Sequence, residues 1–439
     1  MTVDRLDLLI RTALTPSAHV VTPADLAGDI RQAMLATPQR RPLLGGFLAT
    51  PMARSGLILI ALLLVALVGV LVAGSRRPPP LPPGVSAYHG PPGRTGVMPG
   101  PGPIGEPRQD WTVSLGGPLG SLGMPLVQGG LVFTADGSGT ITASDETTGA
   151  ERWRHSGTGR AAGSILIAGG RLIVGDDVGG LTALEPATGQ VLWDRTVGDL
   201  GSLSMAADGD RLVAASSSGH IYGLDGRTGG VTWTVDAGGP VKRGVAIADG
   251  RGFAGAAGGR VTAFDIATGD HVTVAELGPG EITTPAVSDG TLYIAHGDQA
   301  SADRYQLIAI DAVTGTERWR WRAPTKNRLF VGGVEGATIY PVSEDGTAYA
   351  IDRATGLGGP FFVTKGPVGS LTAIVDGVIY IASADQTVYA VDRASGVAIW
   401  SFAVNGVPST PSVIDGRVFV GTDLGKVIAI GGSSASPSP

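Results

Sequence analysis

Three polar clusters interrupt positions that are otherwise small or hydroxylic: Lys242-Arg243, Glu281 and Lys326-Asn327-Arg328. Four basic side chains around one carboxylate could hold an anion, because the surplus positive charge draws an oxyanion and the acid limits the repulsion among the bases. The same set could equally pair internally and serve structure alone. The other candidates for chemistry are less organised. The six histidines (His19, His89, His155, His220, His271 and His296) stand singly, without metal-ligand spacing. No nucleophile elbow or phosphate loop occurs. The absence of cysteine excludes disulfides, thiolate metal sites and cysteine nucleophiles. Asp136-Gly137 and Asp345-Gly346 look like fragments of calcium loops, but they fall where hairpins are expected and read as turns.

These residues sit within a repeat. A turn glycine recurs at Gly149, Gly189, Gly229, Gly269, Gly315, Gly356 and Gly396, with spacings of 40, 40, 40, 46, 41 and 40. A fixed period in this range marks a repeat architecture. Before each glycine an apolar strand ends in a small residue, one further residue and an acid. The acids are Asp145, Glu185, Asp225, Asp265, Asp311, Asp352 and Asp392. The acid can accept hydrogen bonds from turn N–H groups, and the glycine supplies positive φ in a tight hairpin. Tryptophan follows four residues later at Trp153, Trp193, Trp233, Trp319 and Trp400, while Thr273 and Pro360 replace it in the fourth and sixth units. Two more strand signals lie between successive turns, so each unit holds four short strands, the content of a propeller blade.

The last unit, Thr410 to Gly431, has three strand signals, and Gly431 stands in the acid's place. A lone fourth strand surrounds Trp111. Seven complete units and one composite predict an all-β, eight-bladed propeller closed by its N-terminal strand, which removes the edges of a broken ring. The first strand of each blade then lines the channel. This places Lys242, Arg243, Glu281, Lys326 and Arg328 as candidate ligand-binding residues at its mouth. The fifth unit carries an insertion around Gly297 to Arg304, a loop that could bind or simply be tolerated.

The pattern A-x-D-x-x-T-G-x-x-x-W resembles the tryptophan-docking repeat of the pyrroloquinoline-quinone (PQQ) alcohol dehydrogenase superfamily, over roughly residues 86 to 431. The stretch Arg94-Thr-Gly-Val-Met-Pro-Gly-Pro-Gly-Pro103 is similar to the lead-in before the first blade of such proteins. The resemblance implies that Trp111, Trp153, Trp193, Trp233, Trp319 and Trp400 dock against neighbouring blades, with Asp145, Asp225, Asp265, Asp311, Asp352 and Asp392 in the turns. Alcohol-oxidising members sandwich PQQ between a tryptophan and a vicinal disulfide, beside calcium held by Glu and Asn. With no cysteine and every tryptophan but Trp321 assigned to docking, no catalytic residue, metal or cofactor is expected. A PQQ enzyme with an atypical site is the alternative. Cofactor-free branches of the superfamily act as binding scaffolds.

Residues 56–74, GLILIALLLVALVGVLVAG, carry no charged or polar side chain. Nineteen residues at ~1.5 Å rise span about 28 Å, close to the hydrocarbon thickness of a bilayer. Arg5, Arg11, Arg31, Arg40, Arg41 and Arg54 precede the run, and Arg76 and Arg77 follow it. The positive-inside rule favours a cytoplasmic N-terminus. Residues 1–55 read as a short helical tail, with Thr22-Pro23-Ala24-Asp25 as a helix start. Residues 75–107 form a Pro/Gly-rich linker and lead-in; 78–107 hold eleven prolines, which favour an extended spacer. Residues 108–431 are the propeller, and 432–439 a disordered tail.

The net charge of −6 and the lack of a basic stripe argue against nucleic-acid binding. High arginine, low lysine and 70 glycines fit a GC-rich, actinobacterial genome. The expected function is a membrane-tethered, extracytoplasmic binding scaffold, non-enzymatic, with a protein or cell-wall partner. A transmembrane sensor coupling an external ligand to a cytoplasmic partner is the further alternative.

Overall fold

The computed structural model describes residues 84–103, 105–119, 123–157, 161–198, 203–298 and 305–432, with the backbone alone for 161–163. The apolar run 56–74, the tail before it, residues 75–83 and 433–439 lie outside the described residues. Among the described residues no helix is long and apolar enough to cross a membrane.

The described strands form eight antiparallel sheets, the blades of one propeller. Seven are consecutive: 126–156, 161–196, 203–236, 245–276, 281–322, 329–363 and 373–403. Blade 8 combines Ser412–Ile414, Arg417–Gly421 and Lys426–Gly432 with Pro107–Ser114, which pairs antiparallel with the last of these. Pro107 and Gly432 are both in this ladder, so the propeller extends one residue beyond the expected limits at each end. In blade 5 the inner strand is split into Glu281–Ile282 and Ala286–Ser288. Pro285, which has no N–H to donate, lies in the break.

Each strand alternates so that both faces of a blade are buried. The core is therefore a series of layers between adjacent blades. Leu166, Ile173, Leu203, Met205 and Leu212 fill one layer between blades 2 and 3, and Val213, Ile221, Val245, Ile247 and Phe264 fill the next.

The repeat motif spans two blades. Within a blade, the small residue before the acid faces the tryptophan across the outer strand pair: Ala143 opposite Trp153, Ala183 opposite Trp193, Gly223 opposite Trp233, Ala309 opposite Trp319 and Ala390 opposite Trp400. A β-bulge follows at each of these positions. Between blades, the tryptophan lies on the next blade's turn glycine. Its indole N–H donates to the carbonyl three residues before that glycine. Trp111 bonds Glu146 (2.9 Å), Trp153 Pro186 (2.8 Å), Trp193 Gly226 (3.1 Å), Trp233 Ile266 (3.2 Å) and Trp319 Arg353 (2.8 Å). The glycine is required twice over. Its φ is positive, +71° at Gly189, and a Cβ there would come within 2.5 Å of the Trp153 ring. Where tryptophan is missing, Gly315 faces the backbone of Val274 and Gly396 faces Phe361.

Asp145, Asp265, Asp311 and Asp352 each accept two backbone N–H bonds through Oδ1, and Asp225 does the same from Arg227 and Thr228. Asp392 takes the N–H and hydroxyl of Ser395. In blade 8, where Gly431 replaces the acid, Asp110 of the closing strand sits against Gly431 and pairs with Arg417 Nε at 2.9 Å. The composite blade thus draws its acid from the other end of the chain.

The segment 84–101 departs from the spacer expectation. It runs inside the ring, blade by blade in sequence order. Val85 exchanges backbone hydrogen bonds with Val127 of blade 1. Ile167 of blade 2 donates to Ser86 (2.7 Å), Ile247 of blade 4 to Pro92 (2.8 Å), Val287 of blade 5 to Gly93 (2.8 Å), Val334 of blade 6 to Thr95 (2.7 Å) and Ile374 of blade 7 to Gly96 (2.8 Å). Gly100 closes the circuit on Val413 and Asp415 of blade 8, each at 3.4 Å. Blade 3 is reached by a side chain, as Arg94 Nη2 donates to Met205 O at 2.6 Å. Proline suits this inner belt. The belt acts mainly as an acceptor toward blade N–H groups, so the missing proline donors go unneeded.

Candidate functional site

The belt contacts the C-terminal ends of the inner strands, and three of its side chains reach into the axis. Arg94, buried at 3% exposure, donates Nε to Val245 O (2.7 Å) and Nη1 to Tyr88 O (2.7 Å), besides its bond to Met205. Its guanidinium also lies 5.5 Å from the centre of the Tyr88 ring. Burial lowers the Arg94 pKa to about 10, so the group stays charged at neutral pH. His89 is pushed down to about 3, first by burial and then by the Arg94 charge, and is neutral. Burial raises the Tyr88 phenol, which stays protonated and hydrogen-bonds with Thr410 of blade 8. Both His89 (φ +61°) and Arg94 (φ +54°) adopt left-handed backbone that few non-glycine residues take. The lead-in was expected only to precede the first blade; nothing in its sequence marks these three side chains as axial.

The opposite mouth lies where the inner strands begin. All five sequence-predicted ligand residues lie at this end, on blades 4, 5 and 6. Glu281 is gripped from both sides, by Arg243 Nε on Oε1 and Arg328 Nε on Oε2, each at 2.9 Å. Arg328 Nη1 also approaches Glu344 at 3.5 Å. Burial raises the Glu281 carboxyl and the two arginines lower it further, leaving a net depression. The two arginines and two glutamates cancel in charge. Lys242 and Lys326 are exposed on the rim, and neither forms an ion pair among the described residues. The turns between the second and third strands of blades 3 and 4, Ser216 to Gly219 and Ala256 to Gly259, contain no acid. The corresponding turns of blades 1, 2, 6, 7 and 8 carry Asp136, Asp176, Asp345, Asp385 and Asp423. Lys242 and Arg243 therefore stand beside the two turns without acids.

Across the channel from this sector, between blades 7, 8 and 1, a cavity of about 190 Å³ opens at the same mouth. Tyr88, Ser370, Ser409, Thr410, Thr422 and Asp423 contribute its polar lining. Several of these hydroxyls already serve the frame. Ser409 accepts from Gly421 N at 3.0 Å, and Thr410 accepts from Leu371 N at 3.1 Å, joining blade 8 to blade 7. Ser164 likewise accepts from Met205 N, joining blades 2 and 3. Sequence reasoning noted the small hydroxylic residues but not this stitching, because the partners come from different blades.

The residues present do not fit a sandwiched quinone. The docking tryptophans stand on the outermost strands. Trp321 shares the outer strand Glu317–Arg322 and packs edge-on against Tyr349 at 5.0 Å. Among the described residues none of them faces the axis, where Arg94, His89 and Tyr88 reach in. No cluster of three or more His, Asp or Glu suited to a metal occurs among the described residues.

A family model described as outer membrane protein assembly factor BamB matches residues 108–233, 177–272, 257–358 and 362–436. Among solved structures, BamB from Moraxella catarrhalis superposes with a TM-score of 0.61 at 22% identity, covering 74% of this chain and all (100%) of that one. The computationally designed protein Ika8 gives 0.62 at 19% identity, covering 73% and 99%. The quinohemoprotein alcohol dehydrogenase of Comamonas testosteroni gives 0.58 at 14% identity, covering 81% and 82%. No curated protein matches the sequence. An assembly factor, a designed protein and an alcohol dehydrogenase thus share this fold, so function has to be argued from the site.

Proposed function

Since the chain belongs to the PQQ-like repeat family described as outer membrane protein assembly factor BamB, we propose that its propeller is a non-enzymatic binding scaffold, held at a membrane by residues 56–74. The observation that carries this reading is the inner belt. The chain's own belt, with Arg94, His89 and Tyr88, lines the inner strands and reaches into the channel, and polar side chains gather at the opposite mouth. A relative whose name is that of an assembly factor supports a protein partner. The six arginines before the apolar run favour a cytoplasmic N-terminus and an extracytoplasmic propeller.

Capture from detergent-solubilised membranes with the full chain as bait, alongside an absorbance scan for bound quinone, tests the proposal. A reproducible partner at stoichiometric yield with no chromophore is expected. Stoichiometric quinone absorbance with dye-linked alcohol oxidation would overturn it.

A further inference from the structure

Building on the scaffold reading, we propose that the mouth where the inner strands begin is a site for an acidic sugar: the anionic group rests on Lys242, Lys326, Arg243 and Arg328, and the ring hydroxyls enter the cavity lined by Tyr88.

Three features of the mouth support this. The first is charge. Arg243 and Arg328 are pinned by Glu281 at 2.9 Å each, which holds two planar guanidiniums in fixed orientation. A carboxylate approaching them would meet pre-positioned donors, with little side-chain entropy left to lose. The two rim lysines are exposed, Lys242 beside the two turns that lack acids and Lys326 beside Asp345, which its neighbours Thr325 and Asn327 bond. The second is shape. A cavity of about 190 Å³ opens at the same mouth on the side of blades 7, 8 and 1, a size that suits one pyranose unit. The third is donor and acceptor chemistry. Asp423 spends Oδ1 on Val407 N at 2.7 Å, and its remaining acceptor capacity suits a sugar hydroxyl. The Tyr88 ring and Ala382 offer apolar surface to a pyranose face. Tyr88 joins the two parts: its hydroxyl meets Thr410 on the cavity side, and the Arg243 charge reaches it from across the channel. An acidic peptide would use the cations but leave the hydroxyl-lined cavity unfilled, so the sugar is the better match.

Titration calorimetry on the full chain in detergent, with trigalacturonic acid as probe, tests the proposal. Cellotriose serves as the uncharged control and a hexaglutamate peptide as the other acidic class. Trigalacturonic acid should bind with an affinity that falls steeply as salt rises. The exposed double variant Lys242→Ala/Lys326→Ala should weaken it at least tenfold without moving the melting temperature. Tyr88→Phe should weaken it severalfold at unchanged salt slope, since that hydroxyl is neutral. Equal binding of cellotriose, equal binding by the double variant, or tighter binding of hexaglutamate would each overturn the proposal. The scaffold reading stands or falls separately: partner capture that survives the double variant, with no acidic-sugar binding, would defeat the sugar site alone.

Discussion

At the scale of single residues, the docking tryptophans and the axial histidine carry the clearest energetic consequences. Trp193 is 6% exposed and its N–H has one partner, Gly226 O at 3.1 Å. Trp193→Phe keeps most of the apolar contact but leaves that carbonyl without its donor, which should cost about 1–2 kcal/mol in urea denaturation. Trp193→Ala also opens a cavity and should cost about 3–5 kcal/mol. His89 predicts a pH dependence. Its folded pKa, about 3, lies below the unfolded value, so the unfolded chain takes up the proton first. Its contribution is complete above about pH 6.5 and is lost as pH falls toward the folded value, by up to ~1.4 kcal/mol per pH unit. His296, also depressed by burial, shares this window. The turn aspartates, depressed by their hydrogen bonds, act only below about pH 4. His89→Gln should therefore flatten the fall in stability between pH 6.5 and 4.5; an unchanged slope would show that His89 is not buried neutral. The identity of these residues was open to sequence reasoning, but their energetic roles were not. The partner of each indole lies some 33 positions further along the chain, and the environment of His89 is assembled from blades 1 and 7.

At the scale of elements, the belt and the docking turns decide how blades hold together. Arg94 donates to three buried carbonyls drawn from the belt and two neighbouring blades. Arg94→Ala leaves all three without donors. Since a hydrogen bond from a charged group is worth about 1.5–3 kcal/mol, the loss should reach several kcal/mol and lower the melting temperature by roughly 10 °C or more. Arg94→Lys should recover only part, because one ammonium cannot reproduce the planar fork. A propeller that begins at residue 108 should melt well below one that begins at 84. Equal melting temperatures would mean that the belt is dispensable. At the turns, Gly189→Ala forces both a left-handed alanine and a clash with Trp153, and should destabilise by more than the ~1 kcal/mol ordinary for such a change. The strands and turns were legible in the sequence, because alternation and turn residues are local signals. The belt was not. Its composition, rich in proline and glycine, is that of a spacer, and what makes it part of the fold is a set of hydrogen-bonding partners on eight separate blades.

At the scale of the molecule, ring closure dominates. Pro107–Ser114 completes blade 8, returns an acid to the position of Gly431 and docks Trp111 on the turn of blade 1. Trp111→Ala breaks the one docking contact that spans the seam. It should cost about 3–5 kcal/mol like other large core truncations, and it should also raise hydrogen exchange in blades 1 and 8 before the rest. Uniform exchange across all blades would argue that closure is not the weak point. The sequence by itself determined the number of blades, their order, the composite eighth blade and the docking residues, because a repeat writes the same local physics at every period. Only the tertiary structure decided where residues 84–101 go, that Glu281 is shared between two arginines, and that Arg94, His89 and Tyr88 reach into the channel from one side. Those outcomes depend on residues brought together from blades far apart in the chain, and no local pattern encodes which of two distant charges will meet.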